Sequence, residues 1–411
     1  MAAQNDPVII VGAGQAGAQA AQSLRQGGYA GPITMVGEEA FLPYERPPLS
    51  KDYLAGKRDA ERLFLRKADF WTSRGVEVLT GRRVVAVDRP AGAVMLDDGA
   101  RLSYGHLVWT AGGRPRRLGC KGGTLEGIHY IRSIADIDRL RAEVEGGERR
   151  IVVIGGGYIG LEMAAVLRLS GHAVTVLEAQ DRLLARVTSP PVSSFFLAMH
   201  RARGVDVRLS ASVAGLEEAG GRVCAVRLAG GEVFPTDLVI VGIGIVPNVQ
   251  PLADAGLHCP DGVAVDEYCR TDDPRILAAG DCALHHNRFA DRPIRLESVQ
   301  NAIDQSKILA ATILGNPVPY RAVPWFWSDQ YEVKIQSVGV SGGHDRVLLR
   351  GRPEDGAFSV AYLRDERLVA LDCIGVTRDF IQGKAIVAAG GRVDPVRLPD
   401  PATELRDAVI D

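Results

Sequence analysis

Short apolar, β-branched runs alternate with stretches of helical periodicity through much of the chain, which predicts parallel sheets whose strands are buried on both faces. The first run is Val8–Val11, and a helix-compatible stretch from about Gly14 to Gln26 follows it, stopped by Gly27-Gly28. Ile33–Val36 is the next strand. Alternating valines and polar residues around 81–102, with Asp98-Gly99 as turn, predict a hairpin. HLVWTAGGRP (106–115) reads as an apolar strand ending in Gly-Gly. The pattern restarts near Arg150, and its last strand is LVIVGIGIVPN (238–248), similar in character to 106–115. LESVQNAIDQSKILAATILG (296–315) predicts a long helix beginning near Ser298. From about Trp325 the texture changes, and VKIQSVGV, FSVAYL and RLVALDCI, punctuated by Gly and Asp, predict a small α+β module.

Both restarts of the pattern carry the same chemistry. VIIVGAGQAGAQAA places Gly12, Gly14 and Gly17 in G-x-G-x-x-G spacing, and IVVIGGGYIGLEMAA places Gly155, Gly157 and Gly160 in the same spacing. Each triplet follows a strand and opens a helix, the context the motif requires. The first glycine permits the tight turn, the second lets backbone approach a pyrophosphate, and the third lets helix and strand pack closely. The pyrophosphate would rest on the positive end of the helix. Each copy is completed roughly 20 residues on by an acid at the end of a second strand, Glu38 in ITMVGEE and Glu178 in AVTVLEA. A carboxylate there accepts hydrogen bonds from ribose hydroxyls; read alone, either is an ordinary charge at a strand end. The duplication implies two dinucleotides on one chain.

Length then fixes the scale: 411 residues exceed one core and fit two or three domains. A net charge of −2 exerts no general pull on nucleic acid or membrane surface, and basic clusters are absent. The apolar run TDLVIVGIGIV is too short to span a bilayer. The N-terminal MAAQNDP leads straight into a strand without room for a signal peptide, so a cytoplasmic protein is expected. The six cysteines (120, 224, 259, 269, 282 and 373) form no C-x-x-C or C-x₄-C pair, which excludes the usual dithiol and zinc spacings. No metal site is expected.

Together these features resemble the pyridine-nucleotide flavoprotein oxidoreductases, over essentially the whole chain. WTAGGRP and VGIGIVPN match the two short motifs that mark that family's domain crossovers, and Thr271 through ILAAGDCA matches its second FAD motif. Within the family the chain is similar to the FAD-dependent NADH:ferredoxin reductases of bacterial oxygenase systems. LPYERPPLSKDYL (42–54), RVTSPPVSSFF (186–196) and PWFWSDQY (324–331) carry that likeness. The resemblance implies an α/β chain of two Rossmann-type dinucleotide-binding domains, glutathione-reductase-like, with a small C-terminal α+β domain. FAD-binding segments are expected at 1–118 and 246–324, the NAD-binding domain at 119–245, and the C-terminal domain at 325–411.

The resemblance also implies residue roles. FAD would be held by Gly12, Gly14, Ala16, Gly17, Glu38, Lys51, Val84, Arg132, Asp281, Val299 and Trp327, with Asp281 on the ribityl hydroxyls and Arg132 near the pyrophosphate. Backbone N–H groups near Val299 would face the flavin pyrimidine. NADH would be held by Gly155, Gly157, Tyr158, Ile159, Gly160 and Glu178; the acid at 178 favours NADH over NADPH, with nearby Arg182 as the counter-indication. Lys51 would lie near flavin N5, Glu162 would face the nicotinamide and pair with Lys51, and Trp327 would lie on an electron exit. Each has a plainer reading: a solvated lysine, a carboxylate stabilising the first turn of a helix, a core tryptophan, a surface arginine.

The family's disulfide reductases keep a cysteine pair beside the flavin, and its NADH oxidases and peroxidases a single cysteine; LPYERPPLSK has none. Electrons would therefore pass from NADH through FAD to a one-electron carrier. The implied partner is an acidic two-iron ferredoxin that supplies an oxygenase, met by Arg288, Arg292, Arg295 and Lys307. No nucleic acid or membrane partner is expected, and the chain would be a monomer or weak dimer. A rubredoxin reductase, an NADH oxidase and an apoptosis-inducing-factor-like redox signalling protein are the alternatives.

Overall fold

The computed structural model describes residues 5–410. The chain divides into two compact units, each assembled from separate stretches.

One unit comprises Met1–Glu45, Glu61–Arg114 and Val246–Pro324. Its centre is a parallel sheet in the order Ile276–Ala278, His106–Trp109, Val8–Val11, Ile33–Val36, Val76–Leu79. The central strand pairs on both edges, Val8 with Ile33 and with His106, and every residue of it is buried. That is why its sequence is unbroken VIIV rather than alternating. The helices Gln15–Gln26 and Val299–Ile313 meet in one apolar cluster through Ala18, Ala21, Leu24, Leu309 and Ala310. Small side chains let the two backbones come close, and Ser306 Oγ donates to Ala16 O at 2.9 Å.

The 81–102 region is a three-stranded antiparallel sheet, Val84–Asp88, Ala93–Leu96 and Arg101–Ser103. Asp98-Gly99 makes the second reversal, and a turn ending at Gly92 (φ +61°) makes the first. Two predicted single strands are interrupted: 106–115 at Gly112 (φ +59°) and 238–248 at Gly244 (φ +94°), where left-handed backbone ends strand geometry.

The other unit comprises Arg46–Ala60, Pro115–Ile245 and Trp325–Asp411. It repeats the parallel architecture in the order Asp206–Arg208, Ala173–Leu177, Arg150–Ile154, Leu238–Val241, Ile128–Tyr130. The first sheet thus has the 3-2-1-4-5 order of a Rossmann fold; the second shares its 3-2-1-4 core, with Ile128–Tyr130, which precedes the other four in the chain, at the outer edge, and such a sheet places ligands beyond the carboxyl end of the central strand. The C-terminal portion is an antiparallel sheet, Trp325–Gln330, Val333–Gly339, Arg367–Ile374, Ala357–Arg364, Arg346–Arg352, packed with the helix Thr377–Ala389. The fold class is therefore the one expected: α/β with two Rossmann-type sheets and a C-terminal α+β part.

One buried cation staples that C-terminal part. Arg350 donates to Asp379 Oδ2 at 2.8 Å, to Leu398 O at 3.0 Å, to Asp400 O at 2.5 Å and to Thr403 O at 2.7 Å. Arg350→Met would leave the Asp379 carboxylate buried without its cation and three carbonyls without donors. We expect a loss of about 3–5 kcal/mol, read as a lowered urea midpoint with unchanged slope. A loss below about 1 kcal/mol would show that the staple does not hold the C-terminal segment.

Candidate functional site

The two glycine turns obey one steric rule. A Cβ on Gly12 would lie 2.3 Å from the Thr110 carbonyl oxygen, and one on Gly17 would lie 2.0 Å from the Gly12 carbonyl oxygen. In the second unit a Cβ on Gly155 would lie 2.4 Å from Gly242 O, and one on Gly160 2.1 Å from Gly155 O. First and third glycines are therefore required by the protein's own backbone. The middle ones are not: a Cβ on Gly14 or Gly157 would meet nothing within 4 Å. That open side faces the amide ends of Gln15–Gln26 and Tyr158–Leu169, neither of which has a side-chain cap. Other helices do close theirs, with Ser133 before Ile134–Val144 and Ser298 before Val299–Ile313. Uncapped amides beside an open glycine fit a pyrophosphate.

The acids after the second strands differ. Glu38 is exposed. Glu178 is fixed by backbone, Oε2 accepting from Gly156 N at 2.6 Å and Oε1 from Gln180 N at 2.8 Å. Arg182, the doubtful neighbour, donates to Thr188 O at 2.7 Å, Ser193 Oγ at 2.9 Å and Ala185 O at 2.7 Å. Its guanidinium shapes the loop after Glu178. Tyr158 and Ile159 are the first two helical residues after Gly157; Ile159 is exposed, and Tyr158 packs on Phe326 at 4.7 Å between ring centroids.

In the first unit, Gly280-Asp281 is drawn to the glycine turn. A Cβ on Gly280 would lie 3.2 Å from that of Ala16, while Gly280 N donates to Gln305 Oε1 at 2.8 Å. Gln305 and Asn301 belong to a buried network at the start of the helix opened by Val299. Asn301 Nδ2 donates to Leu296 O at 2.9 Å and Gln305 Oε1 at 3.2 Å, and Tyr320 Oη donates to Asn301 Oδ1 at 2.9 Å. Gln305 Nε2 stands 3.2 Å from His285 Nδ1, whose ring is held neutral; burial first, then neighbouring His286, pulls its pKa down to about 4. The unit thus gathers the glycine turn, the Asp281 loop and the Val299 helix end. Val84 is buried in an apolar cluster that also holds Val11, Val36, Trp109 and Cys282, the sequence neighbours of the glycine turn and of Asp281 among them.

In the second unit, Glu162 is 2% exposed and fully engaged. Oε2 accepts from Lys51 Nζ at 2.7 Å and Ser50 Oγ at 2.5 Å, and Oε1 accepts from Ser328 Oγ at 2.6 Å. Lys51 also donates to Pro47 O at 3.3 Å. The expected Lys51–Glu162 pairing is present. The plainer reading of Glu162 is corrected, because its helix begins at Tyr158 and the carboxylate stands in the second turn, beyond the reach of a first-turn dipole effect. The segment carrying Lys51 is held by Arg46 Nη1 donating to Arg132 O at 2.5 Å and by Tyr53 Oη donating to Asp138 Oδ1 at 2.6 Å. Trp327 is half-buried in an aromatic row with Trp325 at 5.5 Å and Phe326 at 6.4 Å.

Sequence reading did not single out Ser50 or Ser328 as partners of Glu162, though each neighbours a residue it did name. It also offered Arg295 as a docking charge. That side chain is 9% exposed, paired with Asp261 and Glu297, and donates to Asp281 O at 2.9 Å; it braces the Asp281 loop instead. Arg288, Arg292 and Lys307 are exposed.

This geometry defines a two-dinucleotide oxidoreductase, and comparison with known proteins agrees. Residues 6–306 match the family model for pyridine nucleotide-disulphide oxidoreductase, and residues 325–409 match that for the reductase C-terminal domain. The chain belongs to the pyridine nucleotide-disulphide oxidoreductase family, and FAD and a nicotinamide dinucleotide are its cofactors. It is 50% identical over 402 residues to a ferredoxin–NAD(P)(+) reductase of Sphingomonas sp, covering 97% of each chain. It is also 50% identical over 401 residues to the ferredoxin reductase subunit of a 5,5'-dehydrodivanillate O-demethylase from Sphingobium sp. (strain NBRC 103272 / SYK-6), again covering 97% of each. The crystal structure of a covalent putidaredoxin reductase–putidaredoxin complex superposes with a TM-score of 0.95 at 42% identity, covering 98% of both chains. No helix among the described residues is long and apolar enough to cross a membrane.

His285 gives the network at the Val299 helix a pH signature. Its folded pKa lies below the ordinary value of 6.5, so the unfolded chain binds the extra proton first. The stabilisation is complete above pH 6.5 and is lost as pH falls toward 4, by on the order of 2–3 kcal/mol at pH 4.5. Urea midpoints of the wild type should fall more steeply between pH 7 and 4.5 than those of His285→Gln. Parallel slopes would remove His285 as the cause.

Proposed function

We propose that the chain is an NADH-dependent, FAD-containing reductase that passes electrons to a two-iron ferredoxin supplying an oxygenase. The observation that carries this reading is the duplicated glycine turn, open at Gly14 and Gly157, in a chain with no cysteine in the 42–51 stretch. FAD is assigned to the 1–118 and 246–324 segments and NADH to 119–245, with 325–411 as C-terminal domain.

Gly12, Gly14, Ala16 and Gly17 receive the FAD pyrophosphate, Glu38 the ribose and Asp281 the ribityl chain; Val84, Arg132 and the amides near Val299 complete the set. Gly155, Gly157, Tyr158, Ile159 and Gly160 receive that of NADH. Glu178 meets the adenosine ribose, and its carboxylate opposes a 2′-phosphate while Arg182 is spent on its own loop. FAD, when bound, accepts a hydride and releases electrons singly. Glu162 orients Lys51, which holds a cation beside the reacting ring, and Trp327 lines the exit. The exposed Arg288, Arg292 and Lys307 suit an acidic carrier. The ferredoxin reductase names of the two relatives support that carrier, and that of the demethylase subunit supports an oxygenase beyond it. Six free thiols support a cytoplasmic setting.

Stopped-flow reduction of the holoenzyme by NADH and NADPH, followed by a two-iron ferredoxin, rubredoxin or air, tests this. Fast reduction by NADH and fast reoxidation by ferredoxin alone are expected. Rapid reoxidation by air, or by rubredoxin in preference, would sink the ferredoxin assignment. Glu178→Ala should narrow the NADH preference about tenfold, ~1.4 kcal/mol; an unchanged ratio would dismiss Glu178 as the discriminator.

A further inference from the structure

Beyond the residues so far assigned, a buried polar chain runs from the last turn of the helix Pro190–Ala202 to Glu162. His200 is 0% exposed, and its Nε2 stands 2.8 Å from Gln330 Oε1. Gln330 Nε2 donates to Ser328 Oγ at 3.4 Å, and Ser328 Oγ donates to Glu162 Oε1 at 2.6 Å. All four residues are buried.

The direction of this chain follows from hydrogen-bond inventory. An amide oxygen only accepts, so His200 carries its hydrogen on Nε2. That leaves Nδ1 bare, and Nδ1 is buried with no partner. Burial lowers the pKa of the ring and keeps it neutral. Gln330 then presents its NH₂ to Ser328, whose single hydrogen is free for Glu162. Every link donates toward the carboxylate. If the first link were apolar, the Gln330 amide could turn over and present its oxygen to Ser328. The serine hydroxyl would then point away from Glu162.

A core packing role does not account for this. An unpaired buried polar atom costs about 1–3 kcal/mol, which an apolar side chain at 200 would avoid. The turn after Gln330 adds strain, since Tyr331 has φ +56°, a conformation that costs a non-glycine residue roughly 1–2 kcal/mol. Its ring lies 5.3 Å from that of His200, and Arg203 stacks on it at 4.5 Å. The fold sustains both costs at the point that aims Gln330.

We propose that His200 is a positioning residue for the Lys51–Glu162 pair, acting through Gln330 and Ser328 by fixing the sense of their hydrogen bonds. The inference rests on the proposed function, in which that pair stands beside hydride transfer from NADH to the flavin.

The test combines NMR with rapid kinetics on the holoenzyme. In [¹⁵N]histidine-labelled protein, the His200 ring should show the Nε2–H tautomer and no titration from pH 5 to 8. An Nδ1–H tautomer would overturn the proposal. At saturating NADH, His200→Leu and Ser328→Ala should each slow flavin reduction about tenfold, one lost oriented hydrogen bond. His200→Leu/Ser328→Ala should be no slower than Ser328→Ala, because both act on one chain. His200→Gln, which restores a donor, should recover most of the rate. Multiplying effects, or a slow Ser328→Ala beside an unaffected His200→Leu, would overturn the proposal and leave the functional reading intact. Full rates in Ser328→Ala and Lys51→Ala alike would overturn that reading itself.

Discussion

A carboxylate withdrawn from water must be met by donors, and Glu162 draws them from stretches far apart in sequence. Lys51 and Ser50 come from a short segment near the N-terminus and Ser328 from the first strand of the C-terminal sheet. Burying the acid without them would cost several kcal/mol. This requirement explains why Arg46–Ala60 groups with 115–245 and 325–411 rather than with its sequence neighbours. It also makes the cluster stiff: three donors on two oxygens leave the carboxylate little freedom, so the ammonium of Lys51 is held in a defined place. A charge fixed in this way requires no rearrangement when a reaction develops charge beside it.

The two glycine turns show how one constraint can be duplicated while its surroundings diverge. Gly12 and Gly155 share φ +110° and face a carbonyl of the neighbouring strand, Thr110 in one case and Gly242 in the other. The backbone geometry is common because each turn must pass the same kind of carbonyl at the same close range. The acids that follow differ in how they are held. Glu178 is locked by two backbone amides, whereas Glu38 stays exposed. A locked carboxylate has a fixed charge position and can discriminate against a phosphate; an exposed one can only contribute hydrogen bonds.

How much of this was legible in the sequence depended on range. The glycine spacing, the strand-end acids and the helix start near Ser298 are written within short windows, and the structure has each of these elements where expected. The Gly-Gly at 112–113 already marked a strand end, but the break at Gly244 was hidden because an apolar run looks continuous until a left-handed residue interrupts its pairing. Arg295 looked like a surface charge because sequence carries no record of Asp261 and Glu297 around it. Ser50 and Ser328 were invisible as partners for a related reason: a serine acquires meaning only from the group it faces. The Lys51–Glu162 pairing came from family resemblance, not from pattern, since 111 positions separate the two and no local rule spans that distance.

The C-terminal sheet supplies hydroxyl groups as well as apolar surface. Thr188 Oγ1 and Tyr362 Oη both donate to Asp372 Oδ2 at 2.6 Å, Ser337 Oγ donates to Oδ1 at 2.6 Å, and Ser189 N donates to Tyr362 Oη at 3.0 Å. Burial pushes the Asp372 pKa up while these three hydroxyls oppose the shift. Thr188 and Ser189 end the loop that starts at Glu178 and is shaped by Arg182. One strand of the sheet therefore fixes Glu162 through Ser328, and two others fix the far end of the Glu178 loop through Asp372 and Tyr362. Both acids assigned to the nicotinamide nucleotide are thus braced, directly or through their loop, by residues beyond position 324. The C-terminal part is in that sense a component of the dinucleotide-binding unit to which it folds.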